Sequence, residues 1–127
     1  MLTTAFASGH DYAYAVALQA DGKIVAAGYA SIDGNNDFAL ARYNPDGSLD
    51  TTFNGDGLLT TDLSSGDDVA HAVAVQADGK IVAVGSTSIG GNRDFALARY
   101  TVVDSGSFTY DPNGQFEGLA NGETAVE

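Results

Sequence analysis

The feature that most constrains this chain is that it is written twice. QADGKIVA stands at Gln19–Ala26 and again at Gln76–Ala83, and DFALARY at Asp37–Tyr43 and again at Asp94–Tyr100, both with an offset of 57 residues. At that offset, 30 of the 43 pairs between residues 1–43 and 58–100 are identical. A period of this size belongs to solenoids, propellers and related arrays. In these, one supersecondary unit stacks on copies of itself because no unit can bury its own apolar face.

Each repeat divides into four short segments. LTT at Leu2–Thr4 matches part of LLTTDL at Leu58–Leu63, and AYAVALQ at Ala13–Gln19 matches AHAVAVQ at Ala70–Gln76. KIVAAGY and KIVAVGS follow, and DFALARY closes each unit. The triplets Asp21-Gly22-Lys23 and Asp78-Gly79-Lys80 predict two-residue hairpins, since Asp-Gly tolerates positive φ at both turn positions. Asp33-Gly34-Asn35-Asn36 and Gly90-Gly91-Asn92-Arg93 read as looser loops. No segment sustains the i, i+3, i+4, i+7 apolar spacing of a helix. In Ala13–Leu18, alanine alternates with larger, mostly apolar residues, which predicts a sheet packed on both faces and most closely on the alanine side. The fold class expected is all-β, with blades of four short antiparallel strands in an incomplete propeller-type ring. The units are residues 1–57, residues 58–103 as a truncated second copy, and a different text over 104–127. The chain holds about one and three-quarter repeats.

Composition narrows the partners. With 17 acidic and 5 basic residues the formal charge is −12, which disfavours nucleic acid and anionic membranes. There is no cysteine, so disulfides and thiolate metal sites are excluded. No run approaches the ~20 apolar residues of a membrane-spanning helix, so no membrane insertion is expected. The first residues lack the basic n-region of a signal peptide. Leu2-Thr3-Thr4 aligns with Leu59-Thr60-Thr61, so Met1 falls inside the repeat pattern, and the chain reads as a slice of a longer array.

The combination DGKIVAAGYA, NNDFALARY and NPDGSLDTTFNGDGLLTTD resembles the delta-60 repeat of bacterial β-propellers, over residues 1–100. After Tyr100 the second copy departs from the first. The stretch GSFTYDPNGQFEGLANGE within residues 105–127 resembles part of a VCBS or cadherin-like bacterial repeat. These resemblances imply propeller blades in a large secreted or cell-surface protein with a role in adhesion. The partners they imply are other repeats of the same parent protein or further copies of the chain. The chain is read as a non-catalytic structural or interaction module. The alternative is a carbohydrate- or calcium-binding module, with a glycan or surface ligand held on loops around Gly34 and Gly91.

Individual residues add little chemistry. His10 aligns with Asp67 and His71 with Tyr14, so neither histidine repeats, and there is no nucleophile-elbow or phosphate-cradle pattern. No catalytic residue and no obligate cofactor is expected. Asp21, Gly22, Lys23, Asp37 and Arg42 recur as Asp78, Gly79, Lys80, Asp94 and Arg99, which marks them as structural positions. Arg42 is expected to pair with a carboxylate, because a planar guanidinium suits bidentate contact. Calcium is the one ligand the pattern suggests. Asn44, Asp46, Asp50 and Asp56 set oxygen side chains around glycine turns, with Asn54 and Asp62 nearby, although Asx turns explain the same letters.

Overall fold

A computed structural model describes residues 1–102 together with the short strands at 108–109 and 125–126. Strands β1 (Asp11–Leu18), β2 (Ile24–Ile32), β3 (Asn35–Tyr43) and β4 (Leu58–Thr61) form an antiparallel sheet in the order β1-β2-β3-β4. Strands β5 (Asp68–Val75), β6 (Ile81–Ile89) and β7 (Asn92–Val102) form a second sheet. The two-residue strands β8 (Phe108–Thr109) and β9 (Ala125–Val126) both pair with β7. The described residues are thus all-β, two blades of an incomplete propeller. The module expected over 104–127 lies outside the described residues apart from β8 and β9.

Sheet and repeat do not share a boundary. β4 belongs to the second sequence copy, yet it pairs with Phe38–Ala41 of β3 and completes the first sheet. Leu2–Thr4, the counterpart of Leu59–Thr61, was expected to be a strand but is not one. The physical reason is pairing: its counterpart in β4 pairs with β3, and the described residues offer Leu2–Thr4 no such strand. It still keeps one tie, because Thr4 and Tyr43 hydroxyls share a hydrogen bond of 2.7 Å. Thr61 and Tyr100 repeat that bond at 2.8 Å, 57 residues on, across the two blades.

The turns are the reverse of the expectation. At Gln19–Lys23, Gly22 N–H donates to Gln19 and Gln19 N–H donates to the Lys23 carbonyl, and only Gly22 of this loop has positive φ, 89°. This is a three-residue loop ending in a left-handed glycine, not a two-residue turn. Asp21 caps it by accepting from Lys23 N–H at 3.1 Å. The two-residue turn sits instead at Asp33-Gly34, with φ of 49° and 90°, between the paired residues Ile32 and Asn35. Two successive positive φ values match the strand twist, so this loop is tight rather than loose.

The alanine alternation of β1 is also broken. Pairing with β2 slips between Ala13 and Ala15, leaving Tyr14 as the extra residue of a bulge. Ala13 then pairs with Gly28 and Ala15 with Ala27, so the two alanines lie on opposite faces. The second sheet repeats the bulge at His71, between Ala70 and Ala72. The bulge brings strand backbone so close that a Cβ on Gly28 would stand 1.8 Å from the Tyr12 carbonyl oxygen, and one on Gly85 would stand 1.9 Å from that of Val69. Both copies therefore need glycine there.

The core lies between the blades. One face of the first sheet, here called the forward face, carries Val25, Ala27, Phe38, Leu40 and Leu59. It packs on the opposite, back face of the second sheet, where Ala70, Ile81, Ala83, Ala96, Ala98 and Tyr100 supply small residues and one ring. Phe53, from the β3–β4 loop, fills the same core. Packing is heterologous: the two surfaces in contact differ, and each blade carries one of each kind.

Candidate functional site

Two polar constructions stand out. The first is a clamp beneath the β3–β4 loop. Asp50 is almost fully buried, and its Oδ2 accepts from Lys23 Nζ at 2.9 Å and Arg42 Nε at 2.8 Å. Its Oδ1 accepts from the Thr52 hydroxyl at 2.6 Å and the Thr52 N–H at 3.1 Å. The Arg42 guanidinium lies 4.8 Å from the centre of the Phe53 ring. Burial alone would raise the Asp50 carboxyl, but the Thr52 and Lys23 hydrogen bonds and the Arg42 charge outweigh it. They hold the group well below the usual carboxylate range. The expected Arg42–carboxylate pair thus exists, with Asp50 as partner. In the second copy, Ser107 occupies the position equivalent to Asp50, and Lys80 faces Asp78 at 3.7 Å instead.

The other calcium candidates hold turns. Asp46 Oδ1 accepts from the Ser48 N–H at 2.9 Å and hydroxyl at 2.6 Å, and Asp56 Oδ1 accepts from Leu58 N–H at 2.9 Å. Asn44 Nδ2 donates to the Ser48 hydroxyl at 3.1 Å. Each has a local backbone or side-chain partner in the β3–β4 loop.

The second construction lies at the blade junction. Asp37 on β3, Asp62 just after β4 and Asp68 at the start of β5 bring carboxylate oxygens within 4.8 Å of one another. Asp68 is fully buried and held from three sides. Leu63 N–H donates to its Oδ2 at 2.9 Å, the Ser64 hydroxyl donates to Oδ1 at 3.2 Å, and the Thr87 hydroxyl also donates to Oδ1. Burial, followed by the charges of Asp62 and Asp68 and then of Asp33 and Asp67, pushes Asp37 up to about 6. Asp94, its counterpart in the second copy, is exposed. Asp37 was singled out from sequence only as a repeated position, and Asp68 was not singled out at all. Its signal was present, because Asp11 and Asp68 match at the 57-residue offset.

The Asp68 network shows how the copies diverged. Asp11 receives the equivalent of the Leu63 bond, from Phe6 N–H at 3.0 Å. Ser64 and Thr87, however, correspond to Ala7 and Ala30. Asp11 Oδ1 is left buried without a hydrogen-bond partner among the described residues.

The histidines join an aromatic group around the bulges. Tyr14 lies 5.4 Å from His71 and 6.4 Å from Tyr12, and Tyr12 lies 5.2 Å from Tyr29, between ring centres. The loops at Gly34 and Gly91 are solvent-facing.

Sheets of this topology, stacked forward face on back face, define a repeat of the β-propeller class. The chain belongs to the β-propeller family described as a domain of unknown function (DUF5122), whose model matches residues 19–53 and 76–108, together just over half of the sequence. Both matches begin at the equivalent glutamines, Gln19 and Gln76, so the family unit recurs with the 57-residue period. No curated protein matches the chain.

Proposed function

We propose that the chain is a non-catalytic structural and interaction module, two blades of a larger propeller-type assembly in a secreted or cell-surface protein. One observation carries this reading. Phe38 is fully buried at 0 % exposure beneath the second blade, while Phe95, its copy, stands at 102 %. Val84, Phe95 and Leu97 border an apolar depression of about 740 Å³ on the forward face of the second blade. On the first blade, Val16 and Leu18 of the back face are exposed, while Ala39 and Ala41 of the same face are buried. These exposed patches lie on the two faces of the kinds that meet in the junction already formed, so their fitting occupant is another blade of the same kind. The resemblances to delta-60 and VCBS-type repeats support a surface-exposed, adhesive setting for such an assembly.

Light scattering after size exclusion tests the reading. The chain is expected to add whole copies to its mass as concentration rises, and Phe95→Asp to abolish that growth. A single-chain mass at every concentration would overturn it. A second reading rests on the exposed rings of Tyr12 and Tyr14. Stacked tyrosines suit the apolar face of a sugar, and glycan-array binding lost in Tyr14→Ala would favour it.

A further inference from the structure

We propose that Asp37, Asp62 and Asp68 form a calcium site that ties the first blade to the second. This is independent of the oligomeric reading, since all three residues belong to one chain. Three different segments supply them: β3, the residue after β4, and the first residue of β5. Their oxygens lie within 4.8 Å of one another, a spread that one cation with oxygen ligands at about 2.3–2.6 Å can span.

Proximity alone would not carry this, because acidic clusters are common on acidic proteins. The second observation is Asp37 itself. It is 9 % exposed, and among the described residues its carboxylate has no hydrogen bond and no ion pair. Four aspartates, Asp62, Asp68, Asp33 and Asp67, set their charges against it. Buried carboxylates are ordinarily paired, hydrogen-bonded or bound to metal. The same chain shows the first two solutions, with Asp50 in an ion pair and Asp68 in a hydrogen-bond network. Asp37 has neither, and a divalent cation supplies the third. Hard oxygen donors select calcium or magnesium. Three carboxylates from separate segments suit calcium's flexible shell better than magnesium's strict octahedron, and water completes the shell. Asp62 is exposed, which leaves a route for the ion.

The site belongs to this junction in particular. Ala5 stands where the first copy would need the counterpart of Asp62. One calcium per chain is therefore expected from the described residues.

Isothermal titration of the whole, chelator-treated chain with calcium chloride tests this, with circular dichroism confirming that each variant folds. Asp62→Asn removes an exposed ligand and should weaken binding roughly tenfold or more, since affinity follows ligand charge. Asp46→Asn, in a turn outside the cluster, should leave binding within about twofold of the parent chain. Calcium should also raise the melting temperature of the parent chain and of Asp46→Asn, and at the same concentration raise that of Asp62→Asn by less. No binding by the parent chain up to about 10 mM calcium, beyond the weak range of extracellular modules, would overturn the proposal. So would undiminished binding by Asp62→Asn.

Discussion

Phe38 and Phe95 offer a controlled experiment written into one chain. The same residue occupies the same register position on two sheets, opposite Tyr29 in one and Ser86 in the other. A following blade covers the first, and no described blade covers the second. Phe38→Ala removes a fully buried ring from the inter-blade core. Truncation of a buried phenylalanine costs about 3–5 kcal/mol, from lost transfer energy plus the cavity left behind. Phe95→Ala removes an exposed ring and should change single-chain stability by less than about 0.5 kcal/mol. With a urea m-value of about 1.5 kcal/mol per molar, the first substitution lowers the midpoint by about 2–3 M and the second by less than about 0.4 M. The assay is urea unfolding at the lowest workable concentration, repeated at a hundredfold higher one. At low concentration the two variants should differ as stated. At high concentration Phe95→Ala should lose the extra stability that association gives the parent chain. Equal losses for both variants in the dilute, single-chain state would refute the reasoning, since Phe95 would then have to be buried within its own chain.

Three further outcomes follow from local geometry. Gly85→Ala drives a Cβ to within 1.9 Å of the Val69 carbonyl oxygen, so the bulge must open, and melting should fall by more than for Gly79→Ala, whose added Cβ meets nothing within 4 Å although its φ is 88°. Asp50→Ala leaves Arg42 buried without its carboxylate and should cost about 3–5 kcal/mol in denaturant unfolding, whereas removing Lys23, at the exposed end of the clamp, costs about 1 kcal/mol or less. Ala30→Thr places a hydroxyl where Thr87 stands in the other copy, and by giving Asp11 Oδ1 a donor it should raise stability by about 1 kcal/mol.

The fold class was legible because it follows from periodicity. A 57-residue repeat with glycine turns and no helical spacing leaves few architectures open, and the family match rests on the same letters. Local geometry was less legible, for definite reasons. Asp-Gly at 21–22 and Asp-Gly at 33–34 are the same dipeptide, and what separates them is where strand pairing resumes. Gln19 reaches the Lys23 carbonyl around the first, while Ile32 pairs with Asn35 across the second. The bulge at Tyr14 has no signature in its own segment. Its mark lies on the neighbouring strand, in the repeated glycines Gly28 and Gly85. Asp50 looked like a cation ligand because it is acidic and near a turn. Its role was decided by Lys23 and Arg42, 27 and 8 residues away. The junction cluster escaped a residue-by-residue reading because Asp37 and Asp62 come from different sequence copies.

That the junction is heterologous decides what the repeat can build. If like faces met, two blades would cover one another and growth would stop at the pair. Here the forward face of one blade meets the back face of the next, so a pair ends with one face of each kind not met by a blade. Further blades must extend the stack until it closes on itself, or it stays open. Part of the forward face is the same in both copies. Val25 and Val82, Phe38 and Phe95, and Leu40 and Leu97 are identical pairs on the forward face, although only the first of each pair is fully buried in the described chain. The match is partial, since Ala27 and Tyr29 of that face are Val84 and Ser86 in the second copy. Among the divergent positions, Thr87 and Asp62 give the second copy polar groups where the first has Ala30 and Ala5.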